Sequence, residues 1–215
     1  MSLAAPLRAG AAELSVELSD GQAQQLLDYL GLLGKWGKVY NLTAVRDEQE
    51  MLTHHLLDSL AVIGPLLRET ARRPARLLDV GSGAGLPGVV IAVCCPDIRV
   101  DCLDAVAKKA AFVQQAAVTL RLPNLRGVHG RIEKVEDAYD VVSSRAFASL
   151  QDFVEGSRQA LAPAGIWLAM KGKRPDDELA ALRRDVTVFH VEQLRVPGLE
   201  AERCIVWMRK AAAGG

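Results

Sequence analysis

Three glycines at alternate positions constrain this chain more than anything else in it. The segment Leu77-Leu78-Asp79-Val80-Gly81-Ser82-Gly83-Ala84-Gly85-Leu86 starts as an apolar strand, reaches a carboxylate near the strand end, and then breaks. Pro87 and Gly88 follow, and after them the apolar run Val89-Val90-Ile91-Ala92-Val93. Proline suits the first turn of a helix, where a backbone N–H would have no acceptor. Glycine tolerates the left-handed backbone of a tight turn and lets a ligand approach the main chain. The segment reads as strand, glycine turn, helix, the unit with which a doubly wound α/β domain meets a nucleotide-like ligand.

The choice of ligand turns on Asp79. A dinucleotide fold aims this turn and the next helix N-terminus at a pyrophosphate, which a neighbouring carboxylate repels. S-adenosyl-L-methionine carries an ammonium and a sulfonium and no phosphate, so an acid at the strand tip favours it. Spacing alone leaves the dinucleotide open: Gly83-Ala84-Gly85-Leu86-Pro87-Gly88 also satisfies G-x-G-x-x-G, two residues late relative to the strand end. A turn that only closes a βα unit is the third reading, and it gives no reason for three alternating glycines.

At 215 residues, half of them hydrophobic, the chain suffices for one large α/β domain, alone or with a small appendage. Its 26 basic residues balance 26 acidic ones, so no global field draws it to nucleic acid, and any such site must be a local patch. Cys94, Cys95, Cys102 and Cys204 contain no C-x-x-C pair and read as small buried hydrophobes of a reducing cytosol. His54, His55, His129 and His190 lack the spacing of metal ligands, so no metal is expected. Residues 1–8 do not have the pattern of a signal peptide, and no run reaches membrane-spanning length. A cytoplasmic, monomeric protein without membrane contact is the expectation.

Residues 1–74 are expected to form a helical N-terminal cap, with residues 1–12 flexible. Within it Leu26, Leu27, Leu30, Leu33 and Trp36 recur at helical spacing behind a Ser19 or Asp20 N-cap. A second helical stretch covers 47–67, interrupted at Gly64-Pro65 and ended by Arg72-Arg73-Pro74. Residues 75–210 form the α/β domain and 211–215 a flexible tail. Strands are predicted at 76–80, 98–103, 125–129, 139–144, 165–170, 187–194 and 204–208. Helices fall between the first six, notably at 105–120, 151–161 and 176–184. A short link at Pro197-Gly198 makes the last two strands an antiparallel hairpin. This is the plan of a Rossmann-like class I methyltransferase sheet.

Several strand tips carry candidate chemistry. Asp104 ends the second strand about 20 residues beyond the glycines, where an acid accepts from ribose hydroxyls or caps the next helix. After the third strand, Glu133 suits an adenine contact or a solvated helix start, and Ile132 could cover the ring face. The fourth strand ends Ser143-Ser144-Arg145, with neither the Asn/Asp-Pro-Pro-aromatic of amino-group methyltransferases nor the Pro-Cys of cytosine-C5 enzymes. Arg145 suits an anion, either a phosphate or the donor's carboxylate. Met170-Lys171-Gly172-Lys173-Arg174 ends the fifth strand as a phosphate-backbone clamp or a solvated loop. His55 and Asp58 read as an intrahelical polar pair, and Tyr40-Asn41-Leu42-Thr43 as a turn between cap helices.

Taken together, Lys35-Trp36, Tyr40-Asn41-Leu42-Thr43, Val45-Arg46-Asp47, His55-x-x-Asp58-Ser59, the glycine segment through Gly88, Leu103-Asp104, Lys108-Lys109, Arg131-x-Glu133, Ser144-Arg145-Ala146-Phe147-Ala148 and Lys171-Gly172 resemble the bacterial RsmG (GidB) methyltransferases. The resemblance spans about residues 19–208. It implies S-adenosyl-L-methionine as methyl donor and N7 of a guanine in the 530 loop of 16S rRNA, within the small ribosomal subunit, as acceptor. It further implies donor contacts from Gly81, Leu86, Ile132, Glu133 and Arg145. Asp79 with the turn residues Ser82 and Gly83 is then expected at the methionine end, and Asp104 with Glu133 at the nucleoside end. Arg145 is the candidate catalytic-site residue, acting by positioning. Lys35, Arg145, Lys171, Lys173 and Arg174 are the candidate RNA contacts.

Overall fold

A computed structural model describes residues 3–40, 45, 47–145, 147 and 149–211. The turn expected at Tyr40-Asn41-Leu42-Thr43 falls outside the described residues from Asn41 on, as do Arg46, Ala146 and Ala148. Of the expected tail, Ala211 is held by its N–H on Asp185 O and the remainder lies outside.

Seven strands make one sheet: β1 (Ala75–Val80), β2 (Ile98–Asp104), β3 (Leu125–His129), β4 (Tyr139–Arg145), β5 (Leu161–Lys171), β6 (Val186–Leu194) and β7 (Arg203–Lys210). Their order is β3-β2-β1-β4-β5-β7-β6. The first five strands run parallel, and β7 lies antiparallel between β5 and β6. The order reverses between β1 and β4, and open α/β sheets bind ligands outside the carboxyl ends of strands at such a point. The glycine turn after β1 and Arg145 at the end of β4 are therefore neighbours by topology.

Side chains alternate across the sheet as period-2 geometry requires. Leu77, Val100, Val141, Leu168, Ile205 and Trp207 face one side; Leu78, Leu103, Val142, Trp167, Val206 and Met208 face the other. The first side packs against α1 (Ala4–Glu13), α2 (Asp20–Tyr40), α3 (Glu48–Met51), a π-helical stretch Leu52–Leu57, α4 (Asp58–Leu60), α5 (Ile63–Glu69), α6 (Gly88–Cys94) and α7 (Ala107–Thr119). The second packs against α8 (Leu150–Ser157), α9 (Asp176–Ala181) and a 3-10 turn, Ile132–Lys134.

The structure corrects several expectations. The segment from Leu3 to Ala12 is not a loose end: α1 buries Leu7, Gly10 and Ala11, and a Cβ on Gly10 would stand 2.6 Å from Leu57 Cδ2. Burying Leu7 alone contributes about 2 kcal/mol. The N-terminal helices break at Ala61-Val62, not at Gly64-Pro65, because Pro65 falls in the first turn of α5, where its missing N–H is harmless. Between β3 and β4 there is only the 3-10 turn, where a full helix was expected. Leu161 opens β5 instead of ending α8, which stops at Ser157. The N-terminal helices also share the core of the sheet. Leu26, Tyr29, Leu33, Leu60 and Leu66 share one apolar cluster with Leu77, Val89, Phe112 and Trp207, so 1–74 and 75–210 divide the sequence without dividing the core.

Candidate functional site

The glycine turn divides its work between packing and openness. Gly81, Gly83 and Gly85 all take positive φ, at 64°, 60° and 91°. A Cβ on Gly81 or Gly83 would meet nothing within 4 Å, whereas one on Gly85 would stand 2.6 Å from Val89 Cγ2. One on Gly88 would stand 2.3 Å from Cys102 Sγ. The first two glycines thus border open space, Gly85 lets the turn pack against Val89 and Val113, and Gly88 lets α6 lie close on β2. Ser82 donates its N–H to Leu103 O, while its buried Oγ has no hydrogen-bond partner among the described residues.

Asp79 is not at the mouth of this cleft. It has no exposed surface; Oδ2 accepts from Gly88 N–H at 3.0 Å and Oδ1 from Ser143 Oγ at 2.9 Å. Burial pushes its pKa up to about 6, against the pull of those two hydrogen bonds and of the Arg145 guanidinium. The carboxylate braces the turn and α6 against β4. Asp104 plays a related part: Oδ2 accepts from Gly83 N–H at 3.0 Å and Oδ1 from Val106 N–H at 2.8 Å. One carboxylate therefore fixes both the glycine turn and the approach to α7, which starts at Ala107, two residues later than expected. Beside it Val106 is 47% exposed, an apolar surface that the sequence did not single out. Ile132 turns its side chain inward among Leu103, Phe153 and Val154, so it does not present that side chain as a ring cover. Glu133 is exposed on the 3-10 turn.

Arg145 is built into the site by a residue read differently from sequence. Asp58, 3% exposed at its side chain, accepts from Arg145 Nη1 at 3.2 Å and from Arg203 Nε at 2.7 Å. Arg145 Nη1 also lies 3.4 Å from His54 O. Asp58 thus reaches beyond its own helix, while His55 still feels its charge. The π-helical turn re-phases the chain so that Asp58 reaches the tips of β4 and β7. Among the described residues the Nε and Nη2 of Arg145 make no hydrogen bond. His55 is pushed below its ordinary pKa by burial and by Arg145.

The expected basic clamp is largely neutralised. Lys171 Nζ sits 2.8 Å from Glu178 Oε2 and 3.5 Å from Phe147 O, with its side chain 12% exposed, so it joins β5 to α9. Arg174 pairs with Asp176 at 2.7 Å. Lys173 and Lys35 remain exposed cations. Among the described residues no three His, Cys, Asp or Glu side chains are grouped to hold a metal, and no helix is long and apolar enough to cross a membrane.

Comparison with known proteins gives concordant matches. The GidB family model, described as rRNA small subunit methyltransferase G, matches residues 22–206. Ribosomal RNA small subunit methyltransferase G of Acidovorax ebreus (strain TPSY) is 65% identical over 219 residues, covering 98% of this chain and 97% of that one. Among solved structures, TrmN from Thermus thermophilus shares the fold at TM-score 0.56 and 18% identity, over 74% of this chain and 53% of the other. A TehB-like SAM-dependent methyltransferase from Corynebacterium glutamicum does so at TM-score 0.51 and 19% identity, over 72% and 87%.

Proposed function

The chain belongs to the GidB family of rRNA small subunit methyltransferases, and on that premise we propose that it methylates N7 of a guanine in the 530 loop of 16S rRNA. The observation that carries the donor end is the open space in front of Gly81 and Gly83, with Asp104 on the Gly83 N–H and Asp79 buried behind the turn. That setting fits a zwitterionic, cationic ligand: donors come from the turn's main chain and Ser82, and negative field from Asp79 and Asp104. S-adenosyl-L-methionine, when bound there, supplies a methyl group on an electron-poor sulfonium.

Each residue then has a definite task. Gly81, Ser82, Gly83 and Leu86 hold the methionine end, with Asp79 keeping the turn closed. Asp104 has a second lone pair on each oxygen for ribose hydroxyls, and Glu133 and the main chain at Ile132 serve the adenine. Val106 offers the apolar contact for the ring. Arg145 is held by Asp58 with Nε and Nη2 left to orient an anion, either the donor's carboxylate or a phosphate of the RNA. Guanine N7 carries an in-plane lone pair and no proton, so transfer to it needs no general base. Alignment and exclusion of water do the work, on the order of 7–11 kcal/mol for well-placed reactants. Lys173, Lys35 and Arg145 are the RNA contacts in this reading, with Lys171 stabilising the β5 tip. The enzyme acts as a cytoplasmic monomer on the small subunit.

Small subunits reconstituted with 16S rRNA carrying 7-deazaguanine test the acceptor. The expected result is loss of methyl acceptance, with a kcat on ordinary subunits that is flat between about pH 7 and 9. Undiminished labelling of the 7-deaza particles overturns the N7 assignment.

A further inference from the structure

Helix α2 presents three hydrogen-bond donors along one stripe, at positions 22, 25 and 29, and each meets a main-chain carbonyl of the α/β half. Gln22 Nε2 donates to Val93 O at 3.0 Å, near the end of α6, and Gln25 Nε2 to Leu120 O at 2.7 Å, at the end of α7. Tyr29 Oη donates to Ala84 O at 2.7 Å, inside the glycine turn. Tyr29 has no exposed surface, and its ring packs 6.3 Å from that of Phe112. From this geometry we infer that Tyr29 is a positioning residue for the donor: its phenol locks the Ala84 peptide, and with it the turn that receives S-adenosyl-L-methionine. The inference rests on the donor reading of that turn.

The physical argument concerns peptide rotation. Ala84 lies between Gly83 and Gly85, so little steric resistance opposes a flip of its carbonyl. The phenol is that carbonyl's one donor among the described residues. In the locked state Gly85 N–H and Leu86 N–H both donate to Ser82 O, at 2.8 and 3.1 Å. Without the phenol, this buried carbonyl lacks a partner, and turn conformations that point it elsewhere gain population. Only the locked fraction binds donor, so apparent affinity falls by that fraction. Chemistry in the bound state is untouched.

The test compares wild type, Tyr29→Phe and Gln25→Leu as full chains, with S-adenosylhomocysteine as calorimetric probe. Tyr29→Phe is expected to raise Kd on the order of tenfold. Its kcat at saturating donor and its KM for small subunits stay within about twofold of wild type. Gln25→Leu leaves a carbonyl unpartnered far from the turn, so it lowers thermal stability and keeps the wild-type Kd. Faster hydrogen exchange at Gly85 and Leu86 in ligand-free Tyr29→Phe, with β1 amides unchanged, gives a second readout. An unchanged Kd in Tyr29→Phe overturns the inference, as does an equal rise in Gln25→Leu, which would make general loosening the cause. Absence of binding by wild type fells the donor reading itself and is told apart by that.

Discussion

Asp79 carries a carboxylate with no exposed surface, and its surroundings hold only part of the compensation. Its pKa near 6, against 3.8 for an ordinary aspartate, means that the folded protein binds this proton more tightly than the unfolded chain does. Stability from this group therefore falls as pH rises from about 4 to 6 and is level above, a difference of about 3 kcal/mol. Asp79→Asn removes that penalty while keeping an acceptor for Gly88 N–H. The expected outcome in denaturant titrations is an advantage of the variant that grows between pH 4 and 6.5, alongside weaker donor binding. An advantage independent of pH contradicts the assignment. Glycines give a second contrast. Gly83→Ala puts a Cβ into open space at a left-handed position, costing about 1 kcal/mol of stability but reducing donor affinity about tenfold or more. Gly127→Ala drives a Cβ to 2.2 Å from the Ala110 carbonyl and is expected to lose about 3 kcal/mol of stability, with donor affinity retained in the folded fraction. Arg145→Ala leaves Asp58 paired with Arg203, so the fold survives while methylation falls; unchanged turnover on small subunits removes Arg145 from the site.

At the scale of elements, the segment Leu52–Asp58 does what neither its composition nor its spacing announces. Read with an ordinary helical period, His55 and Asp58 share a face; in the π-helical turn Asp58 instead crosses to two strands. Asp58→Asn weakens the attraction to two guanidinium groups near an apolar core, and a loss of about 3–5 kcal/mol is expected in equilibrium unfolding, with reduced methylation. The glycine turn, the seven strands and the acid at the β2 tip were legible because their signals are local: alternation, a chain break, a carboxylate at a fixed distance. Lys171 was misread for the opposite reason. Its partner Glu178 lies on a helix that had been identified, but nothing in the spacing shows that α9 folds back to neutralise the β5 tip. Helix α1 was missed because its Ala- and Gly-rich sequence reads as loose chain until Leu57 is brought against Gly10.

Across the whole molecule, the N-terminal helices and the sheet form one structure. Arg68 of α5 makes a two-pronged pair with Glu192 of β6, at 2.6 and 3.2 Å, and α2 supplies much of the apolar cover for α6 and α7. A fragment of residues 75–215 therefore exposes the faces of α6 and α7 that α2 covers, and is expected to be insoluble or molten by circular dichroism; a cooperatively folding, donor-binding fragment contradicts the shared core. The equal numbers of acidic and basic residues also acquire a physical sense, since the acids neutralise Lys171 and Arg174 and hold Arg145. Of the cations singled out for RNA, Lys35 and Lys173 stay exposed, so shape complementarity must supply the rest of the recognition. The direct test is transfer of tritiated methyl from S-adenosyl-L-methionine to small subunits from cells lacking this enzyme, followed by mapping of the labelled nucleotide. The expected result is one label, on a guanine of the 530 loop and cleavable as an N7-methylguanine; label at another atom or another loop, or none at all, contradicts the account.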